Sequence, residues 1–144
     1  MLAGDEARSL LNKDKIFVDD AQIILSAGAR DARELESVDR EDAFMLDYYR
    51  GSLKLSKLRH QLRNQTTIIL VRLDINGPPH TNPDGVVIGG THIHHYREGF
   101  EDKWAEEIDA SIFTDIDNMK LTLQQFCDHC NIGEVPDIVE QLML

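Results

Sequence analysis

Apolar and polar positions alternate with a period of two through the middle of the chain and follow a helical period at its two ends. The clearest strand is residues 67–75, TIILVRLDI. Ile69, Val71, Leu73 and Ile75 form one apolar face; Ile68, Leu70, Arg72 and Asp74 form another that turns polar toward its end. Such a strand suits the centre of a sheet, with its far end opening onto a polar site. Phe44, Leu46 and Tyr48 alternate with Met45, Asp47 and Tyr49, and the alternation continues through Leu53 and Leu55. Leu58, His60 and Leu62 have the opposite parity, which predicts a bulge or bend near Ser56. Residues 22–26, 91–97 and 104–108 predict further strands.

Residues 5–15 predict a helix capped by Asp5, with Ala7, Leu10 and Leu11 at helical spacing. Residues 115–130 predict another, with Met119, Leu123, Phe126, Cys127 and Cys130 on one face. Gly133 ends it. Pro136 then suits a first helical turn, and Ile138, Val139 and Leu142 predict a short last helix. The expected fold is a single α+β domain, 1–144: a curved antiparallel sheet of about five or six strands with an N-terminal helix and two C-terminal helices.

Composition adds boundaries. With 144 residues, 42% of them apolar, the chain is large enough for one core. No run approaches the roughly 18 apolar residues of a membrane span. The opening MLAGDE lacks the basic and apolar regions of a signal peptide, so a cytoplasmic location and no membrane contact are expected. Cys127 and Cys130 fall late on an apolar helix face. They read as small buried hydrophobes, because a redox pair usually sits at a helix N-terminus.

Charge narrows the partners. The net charge is −11, yet residues 50–63 hold Arg50, Lys54, Lys57, Arg59 and Arg63 and no acid. That strip carries +5, leaving −16 on the remainder. A basic strip on an acidic body suits RNA or an acidic partner protein, and equally a solvated strand face. Oligomeric state is not legible.

Candidate chemistry concentrates in residues 74–98, DINGPPHTNPDGVVIGGTHIHHYRE, which hold His80, His92, His94 and His95. Pairing 70–75 with 91–97 as antiparallel neighbours sets His92, His94 and Tyr96 on one face, where Arg72 and Asp74 can join them. The intervening loop carries three prolines and an Asn-Pro-Asp-Gly turn. We expect it to be ordered, folding His80, Asn82 and Asp84 over that face, with Asp74 and Asn76 holding a histidine tautomer.

Three readings stay open. In the first, His80, His92 and His94 act as acid and base with Tyr96 and Arg72, and Arg97 is a second candidate for stabilising the phosphorane. Asn82, Asp84, Lys57, Arg59 and Arg63 then hold the substrate. The reaction expected is metal-independent RNA cleavage through the 2′-hydroxyl, without a cofactor. In the second, His92 and His94 chelate a metal; His-x-His followed by Glu98 resembles the front half of a cupin motif whose second half is missing. In the third, the cluster does no chemistry and the acidic body occupies a partner, as an antitoxin, immunity protein or anti-defence inhibitor.

The pattern His80-x-Asn82-Pro83-Asp84-Gly85, then His92-x-His94-x-Tyr96, then Trp104-Ala105 resembles a small bacterial family of unknown function, often encoded on mobile elements. The likeness runs over most of the chain. It implies a toxin–antitoxin or anti-defence setting and a partner from the same operon, but no particular activity.

Overall fold

The structure is a computed structural model, and it describes residues 1–141. Its centre is a seven-stranded antiparallel sheet in the order β1-β3-β4-β5-β6-β9-β10. These strands are β1 (Lys15–Phe17), β3 (Arg30–Ser37), β4 (Ala43–Arg50), β5 (Leu58–Asn64), β6 (Ile68–Ile75), β9 (His92–His95) and β10 (Ala105–Glu107). A hairpin of β7 (His80–Thr81) and β8 (Val87–Ile88) stands apart, as does a parallel pair of β2 (Ile23–Leu25) and β11 (Ile138–Glu140). The helices among the described residues are α1 (Gly4–Asn12) and α2 (Met119–His129).

Period-two alternation decides which face of the sheet is dry. Phe44, Leu46 and Tyr48 on β4, Leu58, His60 and Leu62 on β5, and Val71, Leu73 and Ile75 on β6 are all buried. The apolar stripe of α2 (Met119, Leu123, Phe126, Cys127) is buried with them in one core. Asn118 starts that helix by accepting a hydrogen bond from the Leu121 amide. Both cysteines are free and buried, which raises their thiols, Cys127 to about 12.

The expected count of strands and helices is corrected. The sheet has seven strands, and a single helix lies between residue 108 and the end of the described chain. The strand expected at 22–26 lies outside this sheet, and β1 was not expected at all: the helical reading of residues 5–15 runs into its first residue, Lys15. In fact α1 stops at Asn12 and Lys15 is buried in the sheet, 1% exposed. Its ammonium donates to the carbonyls of Leu11, Lys13 and Cys130, each at 2.8 Å, and so closes the C-terminal ends of both helices. Burial pulls its pKa down to about 8.

The expected last helix is β11. Ile138 and Val139 are β-branched, and they pair with Ile23 and Ile24 of β2, a short strand with no other strand neighbour among the described residues. The Arg50 guanidinium, 2% exposed, clasps the pair by donating to the carbonyls of Leu25 and Gln141. Leu142 lies outside the described residues. Of the bulge or bend expected near Ser56 the structure has the bend: residues 51–57 bend and turn between β4 and β5, and Leu53 is 98% exposed. The bulge comes later, between Leu62 and Arg63.

Candidate functional site

The opposite face of the sheet is polar, and its register arranges it in two rows that cross the strands. One row runs Arg30–Tyr49–Arg59–Asp74–His92–Glu107, the other Ala32–Asp47–Gln61–Arg72–His94–Ala105. Directly opposed residues on neighbouring strands lie close enough to interact. Here they form a nearly continuous network. Arg63 grips both oxygens of Asp47 at 2.6 and 2.7 Å, and Gln61 donates to the same carboxylate. Arg59 and Arg72 donate to the two oxygens of Asp74 at 2.8 and 3.0 Å.

One end of these rows is closed by the β7–β8 hairpin. The residue 76–90 loop is ordered, as its prolines and turn sequence predict, and the His80 ring lies over the other two. Ring centroids are 5.8 Å apart for His80–His92, 4.6 Å for His80–His94 and 4.9 Å for His92–His94. Gly85, at φ 85°, makes the tip, and the Asp84 carboxylate accepts from the Val86 amide. At the base a side chain on Gly90 would place its Cβ 2.0 Å from the Gly77 carbonyl oxygen, so only glycine lets the two chains meet. Asn82 is buried and braces the hairpin: its side chain donates to the Ala105 carbonyl and accepts from the Ala105 amide.

Each histidine is oriented by a backbone carbonyl. His80 Nε2 faces the Lys103 oxygen at 2.7 Å, His92 Nδ1 faces Gly89 at 2.6 Å, and His94 Nδ1 faces Asp102 at 2.8 Å. A carbonyl only accepts, so the proton sits on the nitrogen facing it. His94 Nε2 then accepts from Arg72 Nη2 at 3.0 Å. His80 Nδ1 makes no hydrogen bond among the described residues. Burial alone would raise the Asp74 pKa, but the hydrogen bond from Arg59 and the charges of Arg72 and Arg59 hold it far below the carboxylate range. Burial lowers the His92 pKa against the opposing pull of the Gly89 carbonyl and Asp74.

Access separates these groups. Asp74, His92 and His94 are 3%, 2% and 0% exposed, whereas His80 is half-buried. The arginine side chains at 59 and 72 retain 45% and 21% of their exposure. The other end of the rows opens into a groove of about 500 Å³ lined by Arg30, Tyr49, Lys57, Arg59 and Gln61, with Asp47. Arg30 and Lys57 lie 5.2 and 5.9 Å from the Tyr49 ring centre, and neither has a carboxylate partner among the described residues.

Of the residues singled out in the sequence, His80, His92, His94 and Arg72 come together, with Arg59 one strand away and Lys57 in the groove. Arg63 is in the network but is held by Asp47 and the Thr66 carbonyl. Tyr96 does not join. Its hydroxyl donates to the Leu2 carbonyl at 2.7 Å, because β9 ends at His95 and the alternation stops with it. Asn82 and Asp84 are committed to the hairpin itself. Asn76 holds no tautomer; its amide hydrogen-bonds the Ser56 carbonyl. Arg97 stacks on Trp104 at 4.3 Å. Asp74 was expected to orient a histidine, yet it is the hub of the site. Its signal was a lone acid two residues after Arg72 in an otherwise apolar strand. Tyr49, Gln61 and Arg30 were missed, because only the register places them in the rows.

Asp74, His92 and His94 each bring one ligand atom within 4.8 Å of the others, so they can hold a metal. A second group, Asp39, Glu41 and Asp42, already surrounds the Lys13 ammonium. No helix among the described residues is long and apolar enough to cross a membrane. A family model described as a family of unknown function matches residues 2–132. No curated protein and no solved structure matches.

Proposed function

For a chain that belongs to DUF6978, a family of unknown function, we propose from the site alone an RNA-processing role of toxin-like kind, with His80 as the group that moves protons. The observation that carries this reading is the partly accessible His80 ring with an uncommitted Nδ1, packed on His94, beside two arginines on one buried carboxylate. His80 Nδ1 takes the proton of an RNA 2′-hydroxyl, whose oxygen attacks the adjacent phosphorus. The 5′-oxygen leaves with a proton from water and a 2′,3′-cyclic phosphate remains. The outward edges of Arg59 and Arg72 stabilise the charge gathering on phosphorus. His92, His94 and Asp74 are too buried to touch a polymer, and they serve as the base that positions His80 and Arg72. Tyr49, Lys57 and Arg30 supply an aromatic face and unpaired cations for a neighbouring nucleotide.

Incubation with single-stranded RNA checks this. Wild type yields cyclic-phosphate ends, a 2′-deoxy substitution at the cleaved position abolishes the product, and His80→Ala lowers the rate by about 10²–10⁴-fold. Expression arrests growth for wild type and not for His80→Ala. Equal behaviour of the two proteins in both assays removes the reading.

A second reading, an acidic module that occupies a partner's basic surface, is favoured by the exposure of Asp19, Asp20, Glu101, Glu106 and Glu107. Its binding weakens steeply with salt, and a low-salt pull-down with the product of the adjacent gene tests it.

A further inference from the structure

The buried end of the rows contains a mismatch that hydrogen bonds do not resolve. A neutral imidazole has one ring proton. In His92 the Gly89 carbonyl, 2.6 Å from Nδ1, fixes that proton, which leaves a lone pair on Nε2. That lone pair faces Asp74 Oδ2 at 3.4 Å, and both side chains are almost completely out of water. His94 Nε2 lies 3.5 Å from the same oxygen, its own proton likewise fixed on Nδ1 by the Asp102 carbonyl. Three lone-pair atoms thus converge in a dry space, on strands whose register holds them there. Arg72 bridges two of them by donating Nε to Asp74 and Nη2 to His94. Nothing among the described residues donates to His92 Nε2.

We propose that Asp74, His92 and His94 form a binding site for a divalent transition-metal ion of the zinc class. Two imidazole nitrogens and one carboxylate oxygen suit Zn²⁺ or Co²⁺ better than Mg²⁺ or Ca²⁺, which prefer all-oxygen shells. The surrounding hydrogen bonds are those of a metal site: each ligating ring donates its other N–H to a backbone carbonyl, and the far oxygen of the carboxylate is held by an arginine, here Arg59. The ion takes the place of the Arg72 fork. Arg72 has somewhere to go, since its Nη1 is already 3.4 Å from Asp102 Oδ2, on the outer side. The inference is independent of RNA cleavage: it rests on Asp74 and His92, not on the free nitrogen of His80.

Purified protein is stripped with chelator and titrated with Zn²⁺ and with Co²⁺, following metal content, the visible Co²⁺ absorption and thermal unfolding. The expected result is one equivalent bound, a four- or five-coordinate Co²⁺ spectrum and a rise in Tm. His92→Gln and Asp74→Asn reduce binding below one equivalent. Arg72→Met removes the competing guanidinium and tightens binding, and this variant keeps the test alive should the ligand variants fold poorly. Failure of both wild type and Arg72→Met to bind a stoichiometric ion overturns the proposal, as does binding unchanged in folded His92→Gln. Metal binding without RNA cleavage leaves this proposal standing and removes the other; cleavage without metal does the reverse.

Discussion

Two buried imidazoles stand on opposite faces of one sheet, His60 on β5 and His94 on β9, and both are 0% exposed. His60 packs against Phe126, ring centres 5.9 Å apart, and neither of its nitrogens has a hydrogen-bond partner among the described residues. Its pKa falls to about 4 because burial disfavours its charged form. His94, equally dry, has a carbonyl on one nitrogen and a guanidinium on the other. Burial therefore does not distinguish a working histidine from a filler. What distinguishes them is whether polar partners lie within reach: on the helix-covered face His60 meets none among the described residues, whereas His95, further along that face, meets His129 of α2.

The largest effect expected from breaking this contrast is that of Asp74→Ala. Two guanidiniums lose their shared partner, which costs about 3 kcal/mol in a denaturant titration. The figure sits at the low end for a broken buried ion pair because Arg59 and Arg72 can turn toward water. A loss below about 1 kcal/mol would show the polar face to be energetically idle.

Nearly as large is the acid sensitivity of His60. Its folded pKa lies below the unfolded value, so its neutral form is favoured by folding and that contribution is complete above the unfolded pKa near 6.5. It is lost as pH falls from there toward 4, by about 3 kcal/mol. His60→Leu should be stable at pH 7 and flatten the pH dependence of the unfolding midpoint. A slope will remain, because burial also depresses His92, His95 and His129. An unchanged slope would locate acid sensitivity on His92, His95 and His129 instead.

Next comes Asn82→Ala, which strands the buried amide and carbonyl of Ala105 and costs about 2 kcal/mol. Hydrogen exchange in residues 80–88 should quicken, and the rest of the sheet should not change. The smallest effect is Tyr49→Ala in the groove: RNA affinity falls by about 1 kcal/mol, read by fluorescence anisotropy at fixed salt, with the unfolding midpoint unmoved. Anisotropy equal to wild type would take the groove out of the RNA path.

Much of this organisation is legible in the sequence, and what is not has physical causes. Alternation in β4 and β6 reveals two faces, and His-x-His on a strand sets both rings on one side. Alternation cannot say which of two faces will be covered, so His60 carries the same pattern of neighbours that marks a core leucine. The cross-strand rows depend on register, which comes from the bulge at Leu62/Arg63 and the length of the 51–57 turn, features no local period encodes. Tyr96 continues the period of His92 and His94 by sequence and leaves it in space, because the strand stops one residue earlier. The segment after Pro136 fits a helix by spacing; a vacant strand edge at Ile23–Leu25 decides otherwise.

The buried ammonium of Lys15 has a consequence for the order in which the molecule can be built. It joins the end of α1 to the carbonyl of Cys130, 115 residues away, and β2 likewise waits for β11. Loop closure over such distances is entropically slow, and its reward arrives only when the whole intervening sheet exists. A growing chain emerging from the ribosome holds the lysine 115 residues before its distant acceptor. Until that carbonyl arrives, Lys15 has only the local carbonyls of Leu11 and Lys13 to bond, and nothing ties the end of the first helix to the rest of the fold. The segment around Lys15 is thus made long before it is locked, and a chain halted before residue 130 should behave as an open, protease-sensitive intermediate, not as a smaller folded unit.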